Sequence, residues 1–93
     1  MSAVKTLVLD SQPIVRVAVE QLVYELLPHA QVLQANSASF GVQMVKDHDI
    51  DLVILDVDLE SSDGFEFVRR ARAHGYTGKI LFLSGNKHPM YSD

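Results

Sequence analysis

The sequence predicts an α/β fold of the doubly wound kind, a parallel sheet with helices on both faces. Three observations carry this. Strand-like and helix-like periodicities alternate along the chain. The first, third and fourth strand candidates are nearly unbroken apolar runs, as expected of strands covered on both faces. Two of those runs end abruptly at a carboxylate, Asp10 and Asp56.

Each element has a local signature. Val4 to Leu9 has strand length and composition and ends at Asp10. Asp10 or Ser11 can then cap a helix whose first turn accepts Pro13. That helix runs from Ile14 to Leu27, with Val15, Val19, Leu22, Val23 and Leu26 at helical spacing, and Pro28 stops it. Val32 to Ala35 is a weaker second strand. Ser37 or Ser39 can cap a short helix from Phe40 to about His48, with Val42, Met44 and Val45 as its apolar side. Leu52 to Leu55 is the third strand. The next helix, Phe65 to His74, turns Phe65, Val68 and Ala71 inward, carries Arg69, Arg70 and Arg72, and stops at Gly75. Lys79 to Leu83 is the fourth strand, ending at Ser84 and Gly85.

Composition narrows the function classes. Ninety-three residues make one small domain. No apolar run reaches the roughly 18 to 20 residues of a membrane span, and no charged-then-apolar leader opens the chain, so a cytoplasmic protein without membrane contact is expected. Zero cysteines exclude disulfides, zinc-thiolate sites and thiol catalysis. A net charge of −4 without a basic cluster argues against direct nucleic-acid binding by this segment.

The stretch DLVILDVDLESSDG, residues 51–64, holds the chemistry. Four apolar residues run into Asp56, and Asp58, Glu60 and Asp63 follow. Like charges held this close oppose each other's ionisation. In doubly wound sheets the site lies beyond the carboxyl ends of the strands, where the strand order reverses. With the order 2-1-3-4, Asp10 and Asp56 fall side by side, and Ser84 ends the adjoining strand. A hard divalent cation, Mg²⁺ above all, would relieve the repulsion. A carboxylate beside Mg²⁺ can attack a phosphoryl group to give an aspartyl phosphate, which the Ser84 hydroxyl could hydrogen-bond.

Structural roles compete with these. Asp10 alone serves equally as a helix cap, Ser84 as a strand end, and Asp63 before Gly64 as turn chemistry. His29, His48, His74 and His88 lie at helix ends or in loops without ligand spacing. Asp56 is harder to explain as scaffold, since it follows four buried apolar residues.

The chain resembles the receiver domain of two-component response regulators. LVLDSQPIVR resembles the first strand and acidic turn of that family. VILDVDLESSDGFEFVRRAR resembles its phosphoacceptor strand, loop and third helix, and KILFLSG its fourth strand with the hydroxyl residue. DSQPIVR and ILDVDLESSDGFE look like the NarL/FixJ (LuxR-type) transcriptional regulators, of the BvgA/EvgA kind. The resemblance implies a flavodoxin-like, CheY-like sheet of order 2-1-3-4-5. It implies that Asp56 accepts phosphate from a sensor histidine kinase. Asp10 and Asp56 would hold Mg²⁺ with the Asp58 backbone carbonyl, and Ser84 would be the switch hydroxyl. The output, through a downstream domain, would be transcription, and the domain would not be an enzyme in the turnover sense.

Three departures from the family pattern stand out. Ser11 replaces the second acidic residue after strand 1, which weakens the expected metal site. Glu60 stands where proline is common. The chain ends at Asp93, before the helix, strand and helix that complete a receiver, so the lysine of strand 5 has no counterpart; neither Lys79 nor Lys87 takes its place. The expectation is therefore a receiver over residues 1–93 that is incomplete at its C-terminus. Strand 4 would be left as an edge through which, or through the face beside it, a homodimer could form. Two other functions remain open. One is a pseudo-receiver that binds partners without phosphorylation. The other is a haloacid-dehalogenase-like phosphatase, whose Asp-x-Asp and Ser motifs ILDVD and ILFLS match, with Asp56 as nucleophile and Asp58 as acid.

Overall fold

The computed structural model describes residues 3–56 and 64–83. Along the chain run β1 (Lys5–Leu9), α1 (Pro13–Leu26), β2 (Gln31–Ala35), α2 (Ala38–Asp47), β3 (Leu52–Asp56), α3 (Gly64–Ala73) and β4 (Lys79–Leu83). All neighbouring strands pair in parallel, in the order β2-β1-β3-β4. The doubly wound class and the reversal between strands 1 and 3 are as the sequence predicts.

Register decides what the sheet can position. Leu9 pairs with both Ala35 and Leu55, and Asp56 pairs with Leu83. Asp10 and Asp56 therefore follow paired residues on adjacent strands and emerge at the same sheet edge. The strands are apolar because both faces are used. Leu7, Leu9, Val53 and Leu55 point to one face, where they pack with Val42 of α2 and with Phe67 and Ala71 of α3. Ile54 points to the other and packs with Val23 of α1. Among the described residues, two helices cover the first face and one covers the second, so the second core is smaller. Gly41 marks the tightest approach of α2 to the sheet. A Cβ there would lie 2.9 Å from the Leu9 side chain and 3.1 Å from that of Phe67, both fully buried.

Helix ends follow local chemistry, with some differences from expectation. Ser37 caps α2 by accepting a hydrogen bond from Phe40 N at 3.2 Å, and the helix starts at Ala38, two residues earlier than predicted. For α1 the capping position is Gln12, which makes no side-chain cap, while Pro13 fills the first turn. Asp10 instead accepts from Gln12 N at 2.9 Å, just ahead of the helix. Gly75 closes the end of α3 with φ of +91°, a left-handed conformation costly for other residues.

Val19 and Val23 of α1 and Val68 and Ala71 of α3 face the cores as the sequence predicts, while other members of the predicted stripes do not. Leu22 and Leu26 of α1 are 54% and 71% exposed, whereas Val23 is buried and Val19 packs beside it. In α3, Phe67 and Ala71 fill the core, one turn apart. Phe65 points outward and lies 5.3 Å, centroid to centroid, from Phe82 of β4. A helix stripe fixes spacing and leaves the rotation free, and the sheet it meets chooses between neighbouring residues. Among the described residues, no helix is long and apolar enough to cross a membrane.

Candidate functional site

The C-terminal ends of β1 and β3 present Asp10 and Asp56 together. Asp10 is nearly closed to solvent at 4% exposure, and Asp56 is half-buried. The two side chains lie close enough to interact electrostatically. Burial pushes the Asp10 carboxyl above the usual carboxylate range. The charge and hydrogen bond of Asp56 push it the same way, against the Gln12 N–H and the Arg16 guanidinium. A hard cation beside the two would offset the negative charge they bring together.

Asp10 is held on every side. Its N–H donates to Ala35 O at 3.1 Å, its carboxylate accepts from Gln12 N at 2.9 Å, and its carbonyl accepts from Arg16 Nη1 at 2.7 Å. Arg16 Nε in turn donates to Gln34 Oε1 at 3.0 Å, and Gln34 Nε2 donates to Glu20 Oε1. The sequence reading passed over Arg16, Glu20 and Gln34. The one available signal is Gln34 itself, a long polar side chain in the interior of a strand.

Of the residues singled out from sequence, the structure brings Asp10 and Asp56 together, with half-buried Ser11 directly after Asp10. Asp58, Glu60, Asp63, Ser84 and His88 lie outside the described residues. Among the described residues no group of three or more His, Cys, Asp or Glu side chains is gathered as a metal site. His29, His48 and His74 are exposed. The last two line an open groove of about 590 Å³ with Ile50, Asp51 and Tyr76, at the opposite ends of the strands from the carboxylate pair.

The pair has a cost that pH reveals. A folded-state pKa raised above the unfolded value means the folded form binds the proton more tightly, so stability falls as pH rises through that pKa. Asp10→Asn keeps the acceptor for Gln12 N and offers Asp56 a neutral donor. It should raise Tm at pH 7, by roughly 4–8 °C for each kcal/mol relieved in a domain of this size. The gain should shrink as pH falls toward the ordinary carboxylate value of 3.8. Calorimetry between pH 4 and 7 checks this, and a lower Tm for the variant at pH 7 contradicts it.

Comparison with known proteins agrees with this fold. Residues 6–92 match the family described as the response regulator receiver domain. The Fimbriae Z protein of Escherichia coli K12 is 29% identical over 92 residues, covering 99% of this chain and 44% of that protein. The nitrate/nitrite response regulator protein NarL of the same strain is 28% identical over 83 residues, covering 88% of this chain and 38% of that protein. The chain thus spans less than half the length of these curated relatives. A LuxR-family two-component response regulator from Aurantimonas sp. SI85-9A1 superposes with a TM-score of 0.84 at 23% identity, covering 98% of this chain and 65% of that one. The CheY-like receiver domain from Methylobacillus flagellatus gives 0.81 at 21% identity, over 90% of this chain and 71% of that one. At such identities the structural likeness is one of fold, and it agrees with the family match. A four-stranded parallel sheet of order 2-1-3-4, a carboxylate pair at its switch point and a family match over residues 6–92 lead to one conclusion: the chain belongs to the response regulator receiver family.

Proposed function

We propose that this domain receives a phosphoryl group on Asp56 from a sensor histidine kinase and relays the signal to an output, transcription, through a domain beyond this segment. The observation that carries the reading is the Asp10–Asp56 pair at the switch point of the sheet. An Asp56 carboxylate oxygen would attack phosphorus, forming the acyl phosphate while the bond from phosphorus to the donor imidazole breaks. The electron pair stays on the imidazole nitrogen. Mg²⁺, which receiver domains generally bind, would neutralise the charge gathered on the transferred group. The donor set fits such a hard cation: Asp10 and Asp56 supply anionic oxygens, with the Asp58 carbonyl and waters as further ligands. Asp10 binds and orients; Asp56 reacts; Ser84 would donate a hydrogen bond to the new phosphate.

Ser11 favours a second reading. Where the family places a second carboxylate it gives a hydroxyl, so the site carries one anionic charge fewer. A pseudo-receiver that binds its partner without phosphorylation would tolerate that exchange. The family match leaves the phosphatase reading without support, because receiver domains are signalling modules and two strand-helix units precede Asp56. Association through β4 also belongs to the proposal. Among the described residues β4 has a neighbour on one side only; Leu81 is 53% exposed and Phe82 39%, on its opposite faces, and Lys79 is its one charged residue. Apolar strand edges of this kind pair with other chains unless covered.

Acetyl phosphate with Mg²⁺, or a cognate kinase, should add one acid-labile phosphoryl group to a protein containing this domain, with a +80 Da mass shift on the order expected for phosphorylation chemistry. Asp56→Asn should abolish it. Equal labelling of the variant removes Asp56 from the role. Partner binding that is unchanged by Asp56→Asn, with no labelling of the wild type, supports the pseudo-receiver instead.

A further inference from the structure

The half-buried polar chain between α1 and β2 calls for an explanation. A mid-strand glutamine, an arginine near the start of α1 and a glutamate one turn later meet on one face of the sheet. Gln34 is oriented from both ends, donating to Glu20 and accepting from Arg16 at 3.0 Å. A cation on one side and an anion on the other fix its amide in a single orientation. Arg16 is left with Nη1 directed to the Asp10 carbonyl at 2.7 Å.

We infer that Arg16 is a positioning residue for the carboxylate pair, acting through the Asp10 main chain and braced by Gln34 and Glu20. The peptide after Asp10 lies where β1 has ended and α1 has not begun, so neither ladder nor helix fixes it. Its carbonyl would point freely without the guanidinium. With that carbonyl held, and with Asp10 N on Ala35 O, the direction of the Asp10 Cα–Cβ bond is set. The Gln12 N–H then fixes the carboxylate at 2.9 Å. A ligand presented in one rotamer binds a cation without ordering cost, and groups that support metal ligands typically change affinity by about 10- to 100-fold.

Lysine cannot substitute. Its single ammonium on a flexible stem keeps the charge but loses the planar fork that spans Gln34 and the Asp10 carbonyl together. A role in charge alone would therefore survive Arg16→Lys, and a positioning role would not. A role confined to anchoring α1 on β2 would lower Tm and leave the Asp10 surroundings in place.

The inference rests on Asp10 and Asp56 as the cation-binding pair, and two readouts keep the two claims apart. In the ¹⁵N-labelled chain, the Gln12 amide resonance reports the Asp10 carboxylate without any metal, and a Mg²⁺ titration of the amide shifts gives the affinity. Arg16→Lys should move the Gln12 resonance and weaken Mg²⁺ binding roughly tenfold. Gln34→Leu, which keeps Arg16 and its charge but removes the brace, should do both to a smaller extent, and it decides the matter if the lysine variant fails to fold. A wild-type Gln12 resonance in the folded variants overturns the inference, whatever happens to Tm. A wild type that ignores Mg²⁺ contradicts the metal reading of the pair, and the Gln12 resonance then decides the positioning role by itself.

Discussion

The close approach of two carboxyl groups, Asp10 and Asp56, is the constraint around which this domain is arranged. Parallel pairing of β1 with β3 puts them there, because paired Leu9 and Leu55 each precede one of them. Neither can be withdrawn without breaking register, and a slip of one residue would turn every core side chain to the wrong face. The hydrophobic effect that fixes the sheet thus also forces the charges together. Asp10 carries the greater burden because it is the more deeply buried, and burial together with the nearby Asp56 charge raises its carboxyl above the usual carboxylate range.

The surroundings of the pair divide the work. The backbone around Asp10 is tied to β2 by Ala35 and to the start of α1 by Gln12 and Arg16, so Asp10 is held in one position. Ser11, next in the chain, adds a polar oxygen without adding charge. A hydroxyl there makes the pair less costly to hold than a third carboxylate would. Away from this end the scaffold is uneven. Among the described residues, two helices shield one face of the sheet and α1 the other, while Leu81 and Phe82 of β4 are exposed.

Much of this was legible in the sequence for physical reasons. Runs such as LVIL and KILFL can be satisfied only by burial on both faces, so they report the sheet directly, and the Asp after each of the first and third strands marks where the chain leaves it. The rotation of the helices was not legible in the same way. Leu22 and Val23 are equally apolar and adjacent, and only contact with Ile54 and Ala30 selects Val23. Phe65 looked like core because it opens the apolar pattern of α3, yet the helix begins at Gly64 and Phe67 fills that place. The Arg16–Gln34–Glu20 chain joins residues 18 and 14 positions apart, which no local pattern reveals.

If the pair is a cation site, folding and Mg²⁺ binding must be linked, since a ligand that binds only the folded state raises its stability. The most direct measurement is Tm as a function of Mg²⁺ at neutral pH and constant ionic strength. The wild type should climb steadily once Mg²⁺ exceeds its dissociation constant, reaching about 2.7 kcal/mol of stabilisation at a hundredfold excess. Asp10→Asn and Asp56→Asn should both stay nearly flat. A wild-type Tm indifferent to Mg²⁺, or an equal climb in the two variants, would contradict the claim that these carboxylates form the site.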